Sequence, residues 1–192
     1  YENPIFLSEN GEKEYQGYTT DVITDRSLNW LENSRDLDKP FMLMIHHKAP
    51  HRNWTPKREH MSLYEDITIP EPEPLFDDYA TRGAAARGQA MTIEKEMSLN
   101  TDLKLNWNVD PRVKTHSHWK KIAESLDDRF DERRKAFAKA NLQGKDLVRH
   151  KYQTYMKDYL RCIHSVDENI GRVMEYLKES GLDQNTIVMY SS

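Results

Sequence analysis

A doubly wound α/β fold, with a mainly parallel sheet flanked by helices, is what this sequence predicts, and three observations predict it. The run Phe41-Met42-Leu43-Met44-Ile45 has the length of a strand and is apolar on both faces, as a central strand between two helical layers must be. A second run of that kind, Ile187-Val188-Met189-Tyr190, stands near the other end of the chain. Each follows a segment with apolar residues at helical spacing, so the order is helix, strand, loop, helix, strand.

Taken in order, residues 1–18 are polar, with Asn10-Gly11 as a turn signal. A helix is expected from Thr19 or Thr20, either of which suits an N-cap, to about Ser34. Val22 or Ile23, Ser27, Trp30 and Leu31 would form its buried stripe. Pro40 then introduces the first strand. Residues 47–82 carry Pro50, Pro56, Pro70, Pro72 and Pro74 and read as one long Pro-rich loop, since proline removes a backbone donor and fixes φ. Residues 83–150 are charged and read as a helical insertion, with short helices around 88–97 and 119–141. From about Lys151 to Ser180 a helix is expected, its stripe running Tyr152, Tyr155, Met156, Tyr159, Ile163, Val166, Ile170, Val173, Met174 and Leu177. Gly181 sits where a C-cap belongs, and the strand 186–190 follows.

Composition bounds the partners. Net charge is -4, from 28 basic and 32 acidic residues, which gives no electrostatic case for nucleic acid or a membrane surface. No apolar run approaches the roughly 20 residues of a membrane span. Apolar residues are 37% and charged residues 31%, against roughly 45–50% and 25% in ordinary domains. That shortfall, with Tyr1 at the start and Ser191-Ser192 straight after an apolar run, leads us to expect that 1–192 is an internal segment sharing its core with further sequence. Cys162, the one cysteine, lies on the helical pattern 151–180 and is expected as a small core or boundary residue rather than a reactive thiol.

The richest chemistry is in His46-His47-Lys48-Ala49-Pro50-His51-Arg52-Asn53-Trp54, just past the end of the first strand. Open α/β sheets bind ligands at that edge. Imidazole, ammonium and guanidinium groups there offer donors to an anion, and histidine can move a proton near neutral pH. Plainer readings stay open: histidines hydrogen-bonding to a strand end, and Trp54 packing rather than stacking on a sugar. Zinc held by His47 and His51 is opposed by Pro50, which denies that pair a helix, and no metal ligand is assigned.

The run from Phe41 to Trp54 resembles the strand and Ala-Pro-His-x-x-Trp-like turn of type I sulfatases of the alkaline-phosphatase superfamily. Three further stretches resemble that family in the same order: Tyr18-Thr19-Thr20-Asp21-Val22-Ile23-Thr24-Asp25, Ser165-Val166-Asp167-Glu168-Asn169-Ile170-Gly171-Arg172-Val173, and Asn185-Thr186-Ile187-Val188-Met189-Tyr190-Ser191-Ser192. The middle run Phe76 to Ile93 is similar to a subgroup related to N-acetylglucosamine-6-sulfatases and to bacterial mucin- or heparin-desulfating enzymes.

The resemblance implies an alkaline-phosphatase-like fold and hydrolysis of sulfate esters on a sulfated sugar or glycosaminoglycan. It implies His51 as the catalytic histidine, contacting the sulfate ester and protonating the leaving alkoxide. Lys48, Arg52 and Trp54 are the candidate substrate-binding residues, and Asp167 is read as structural. The family's nucleophile is a formylglycine from a Cys/Ser-x-Pro/Ala-x-Arg motif, which this sequence lacks, and its Ca2+ ligands fall outside these residues. The segment alone is therefore expected to be inactive, with the rest of the sulfatase chain as its partner. An exported protein is implied, periplasmic or extracellular in bacteria ahead of lysosomal. Two alternatives remain: a phosphatase or phosphodiesterase of the same superfamily, and a non-catalytic carbohydrate-binding module.

Overall fold

The computed structural model describes residues 1–107 and 126–191. Its contacts divide the chain into two units, Tyr1–His51 with Cys162–Ser192, and Arg52–Arg161.

The first unit opens with an antiparallel hairpin, β1 (Ile5–Ser8) paired with β2 (Gly11–Glu14). Gly11 takes φ 95°, a left-handed conformation that costs glycine little, so the Asn10-Gly11 signal falls at the turn as expected. The strands themselves are too short and too charged to show in the sequence. Helix α1 (Thr19–Asn33) matches the expected span, but its N-cap is Tyr18 and makes no side-chain capping bond. The two threonines are instead its first helical residues and are buried. Val22 and Leu31 are buried, while Ile23, Ser27 and Trp30 are half-buried.

Residues 41–48 differ from expectation. Neither they nor 186–190 form a hydrogen-bonded strand, and the hairpin is the one sheet among the described residues. Burial of 41–48 alternates: 41, 43, 45 and 47 are half-buried, and 42, 44, 46 and 48 are exposed. That is the period of an extended chain covered on one side. The Phe41 ring meets Trp30 of α1 edge-on at 6.0 Å. The other side is open, with Met42 82% and Met44 67% exposed, and Ile187 and Met189 are 88% and 87% exposed. Apolarity on both faces is thus matched by cover on one face only. The 192-residue chain on its own is accordingly expected to bind an apolar-surface dye and to self-associate. A monodisperse monomer that melts cooperatively without dye binding would overturn this.

The second unit holds the Pro-rich stretch. No α-helix occurs within 47–82, only 3-10 turns at Arg58–His60 and Glu73–Phe76. The short helices α2 (Ala84–Gly88) and α3 (Ile93–Glu96) follow, then α4 (Asp131–Ala140). Of the helix expected at 119–141, residues 119–125 lie outside the described residues. Helix α5 (Gly144–Glu179) begins earlier than the expected Lys151, within the stretch 83–150.

α5 explains how so proline-rich a segment is held. Its side chains bond to the passing backbone: Arg161 Nε to the Leu63 carbonyl at 3.0 Å, Lys157 to Glu65 at 3.1 Å and Tyr152 to Pro70 at 2.7 Å. Gln153 takes both backbone groups of Ile69, at 2.7 and 2.9 Å. Lacking helix or sheet partners, these main-chain groups are satisfied by side chains one helical turn apart. The deepest face of α5 is polar. Lys151, Thr154, Asp158, Arg161, Ser165 and Asn169 are buried, whereas most of the expected apolar stripe is half-buried. Cys162 is fully buried, as expected, with its thiol 3.9 Å from the Tyr18 hydroxyl. Just past the end of α5, Gly181 has φ 70° and donates to the Lys178 carbonyl at 3.1 Å, closing the helix end as expected.

Candidate active site

The extended run 41–47 delivers a tight turn, closed by the His51 amide donating to the Lys48 carbonyl at 2.9 Å. Ala49 is buried beneath it, and the buried Tyr1 donates its hydroxyl to the His51 carbonyl. The backbone is thus fastened from below while the side chains of Lys48 and His51 stand exposed. The Lys48 ammonium lies 5.6 Å from the centre of the Tyr1 ring. His46 points outward, and His47 is half-buried. Burial pushes the His47 pKa down, opposed by the charge of Asp21. His47 and His51 thus differ in exposure, and no zinc pair is assigned to them.

The residues after His51 begin the second unit, where other partners engage them. Arg52 grips the buried Asp102 with two nitrogens, at 2.7 and 2.5 Å, and donates to the Glu96 carbonyl at 2.9 Å. The hydrogen bond to Asp102 raises its pKa. Asn53 donates to the Thr101 carbonyl at 2.8 Å. Trp54 is buried with its ring centre 4.5 Å from that of Tyr155, edge-on. Packing is what Trp54 does here, and a bidentate ion pair is what Arg52 does.

Asp102 and Lys104 were not legible beforehand. They lie in the charged stretch 83–150, where neither helical nor strand periodicity marks a face. The one signal was Leu103-Lys104-Leu105, a charge between two leucines that are both fully buried.

The sequence model of the family described as Sulfatase matches residues 2–192. The chain belongs to the sulfatase family. An N-acetylglucosamine-6-O-sulfatase of Bacteroides thetaiotaomicron is 42% identical to it over 200 aligned residues, which take in 100% of this chain and 36% of that relative. A protein solved in complex with its substrate D-glucosamine-2-N,6-O-disulfate superposes with a TM-score of 0.80 at 41% identity, over 94% of this chain and 38% of the other. This sulfatase chain therefore spans somewhat over a third of the length of the relatives it matches. Its helices and extended runs are the α/β content of the alkaline-phosphatase-like fold.

Proposed function

We propose that the protein carrying this chain hydrolyses a sulfate ester on an amino sugar, with the 6-O-sulfate of a glucosamine as its substrate. The observation that carries this is the turn: in a chain with this likeness to a 6-O-sulfatase, His51 and Lys48 stand exposed on a backbone fastened by the Tyr1 hydroxyl and the His51–Lys48 backbone bond. Cleaving the S–O bond leaves a sugar alkoxide, a poor leaving group unless it is protonated as the bond breaks. His51 supplies that proton. Lys48 adds positive charge beside the sulfate, while Arg52 and Trp54 act on the substrate side through the backbone they anchor.

We further propose the doubly wound sheet, with 41–45 and 187–190 as parallel strands, and an exported location. Calcium and a formylglycine nucleophile are expected of the family. A lysine and a histidine do not fit a hard divalent cation, which takes oxygen ligands. The sequence also lacks the formylglycine motif. No step is assigned to either group through these residues.

The test is turnover by the full-length protein of glucosamine 6-O-sulfate, its 3-O-sulfated isomer and glucosamine 6-phosphate. Sulfate release from the 6-O-sulfate is expected to exceed the other two by at least about 10³-fold in kcat/KM, which is some 4 kcal/mol of discrimination. Preference for the phosphate ester would make it a phosphatase of the same superfamily. Binding without turnover would make it a carbohydrate-binding module.

A further inference from the structure

Tyr1 touches both ends of the turn that carries Lys48 and His51, and all three residues belong to the first unit. Its hydroxyl donates to the His51 carbonyl, and the Lys48 ammonium sits 5.6 Å from the centre of its ring. Tyr1 is only 4% exposed, and its place is fixed from behind. Its carbonyl accepts from the amide of Thr19, the first residue of α1, at 2.7 Å. Its ring lies 6.0 Å from that of Tyr18, tilted by 31°, and the Tyr18 hydroxyl in turn reaches the buried Cys162 thiol at 3.9 Å. A buried phenol needs a partner for its hydroxyl, whereas a phenylalanine would fill the same space without that need. What the hydroxyl adds is a fixed place for the His51 carbonyl. What the ring adds is an attractive face for an ammonium carried on a flexible four-carbon stem.

We propose that Tyr1 is a positioning residue for His51, with Lys48 held beside it by the same ring. By holding the His51 carbonyl, the hydroxyl fixes the backbone from which the imidazole projects, and so the point at which the proton reaches the leaving oxygen. This rests on the reading of His51 as the proton donor. Displacing a donor by about 1 Å can cost on the order of 100-fold in rate.

The experiment uses the full-length protein with Tyr1→Phe, alone and combined with His51→Ala, and Tyr1→Leu, alone and combined with Lys48→Met. Turnover of glucosamine 6-O-sulfate and of an activated aryl sulfate is measured alongside thermal melting. Tyr1→Phe keeps the ring and removes the bond to His51. It is expected to lower kcat on the sugar by roughly 10-fold with KM little changed, and to lower it less on the aryl sulfate. On the His51→Ala background it should lower the rate no further, because the hydroxyl acts through a side chain already removed. Tyr1→Leu removes the ring as well and is expected to raise KM for both sulfates by about 3-fold, a rise that should vanish on the Lys48→Met background. A Tyr1→Phe loss that multiplies with that of His51→Ala, one that falls equally on both substrates, or no loss at all would overturn the proposal and leave the function standing. A KM rise that persists without Lys48 would overturn the part played by the ring. Should Tyr1→Leu fail to fold, Tyr1→Phe decides alone, since it keeps the ring and its packing. If His51→Ala left sugar turnover intact, the proton-donor reading and this proposal would fall together.

Discussion

Replacing His51 with alanine in the full-length protein is expected to lower kcat on a 6-O-sulfated glucosamine by roughly 10²–10⁴-fold while the protein stays folded. That range is what a general acid typically contributes. The fold should survive because the His51 side chain is exposed, and the turn is held by backbone groups: the Lys48 carbonyl, the His51 amide and the His51 carbonyl under Tyr1. The loss should shrink with an activated aryl sulfate, whose leaving group departs without a proton. His46→Ala, at an exposed position in the preceding run, is expected to change either rate by less than about 3-fold. Equal losses on sugar and aryl sulfates would reduce His51 to a sulfate-binding group. An unchanged rate would remove it from the site.

Asp158→Asn is expected to cost about 3–5 kcal/mol of stability, the usual penalty for breaking a buried ion pair from one side. Asp158 is almost fully buried and accepts from Arg133 at 2.7 and 2.8 Å and from Arg161 at 2.9 Å. Asparagine keeps the shape but leaves two largely buried guanidinium groups without their shared countercharge. Because Arg161 also holds the Leu63 carbonyl, the stretch 63–71 should gain hydrogen-exchange rate together with the global loss. A denaturant midpoint equivalent to less than about 0.5 kcal/mol of change would show that the cluster contributes nothing net.

The same carboxylate gives a pH dependence. Burial pushes the Asp158 pKa up, but Arg133, Lys104 and Arg161 outweigh it and hold the carboxyl below its ordinary value. Asp127 behaves alike: burial raises it, and the Arg129 hydrogen bonds and charge, with Arg58, bring it down to about 2. A folded-state pKa below the unfolded one stabilises above the unfolded value, near 4, and that stability is lost as pH falls toward 2. Wild type should thus lose stability across that window, and Asp158→Asn should lose less of it.

Much of the local structure was legible because local rules decide it. Apolar spacing placed α1 and its side with Val22 and Leu31, though its cap is Tyr18 rather than a threonine, and Gly181 could follow α5 with φ positive at little cost. The prolines kept 47–82 free of α-helix, and the turn motif singled out His51. The partners of Arg52 and Trp54 were not legible, because Asp102 and Tyr155 lie far along the chain. Lys104 was hidden for the same reason: a lysine in a charged stretch looks solvated, and only long-range contacts bury it. The polar face of α5 ran against the apolar stripe because its partners are carbonyls, as for Lys151 and Arg161, and charged side chains, as for Asp158, which need donors and acceptors rather than methyl groups.

The sequence by itself determined α1 and α5, the loop free of α-helix, the glycine after α5, the two apolar runs and the histidine on which the proposed chemistry turns. Those follow from φ preferences, side-chain periodicity and the types of residue at fixed spacing, all of which act over a few neighbours. Only the tertiary structure decided which polar side chains are buried against the protein's own backbone and which stand exposed. Lys104 differs from Lys48 by its burial, and both Lys104 and Arg52 are engaged by partners about 50 residues away, Trp54 and Asp102. Burial changes the worth of a charge by several kcal/mol, and no local pattern records it.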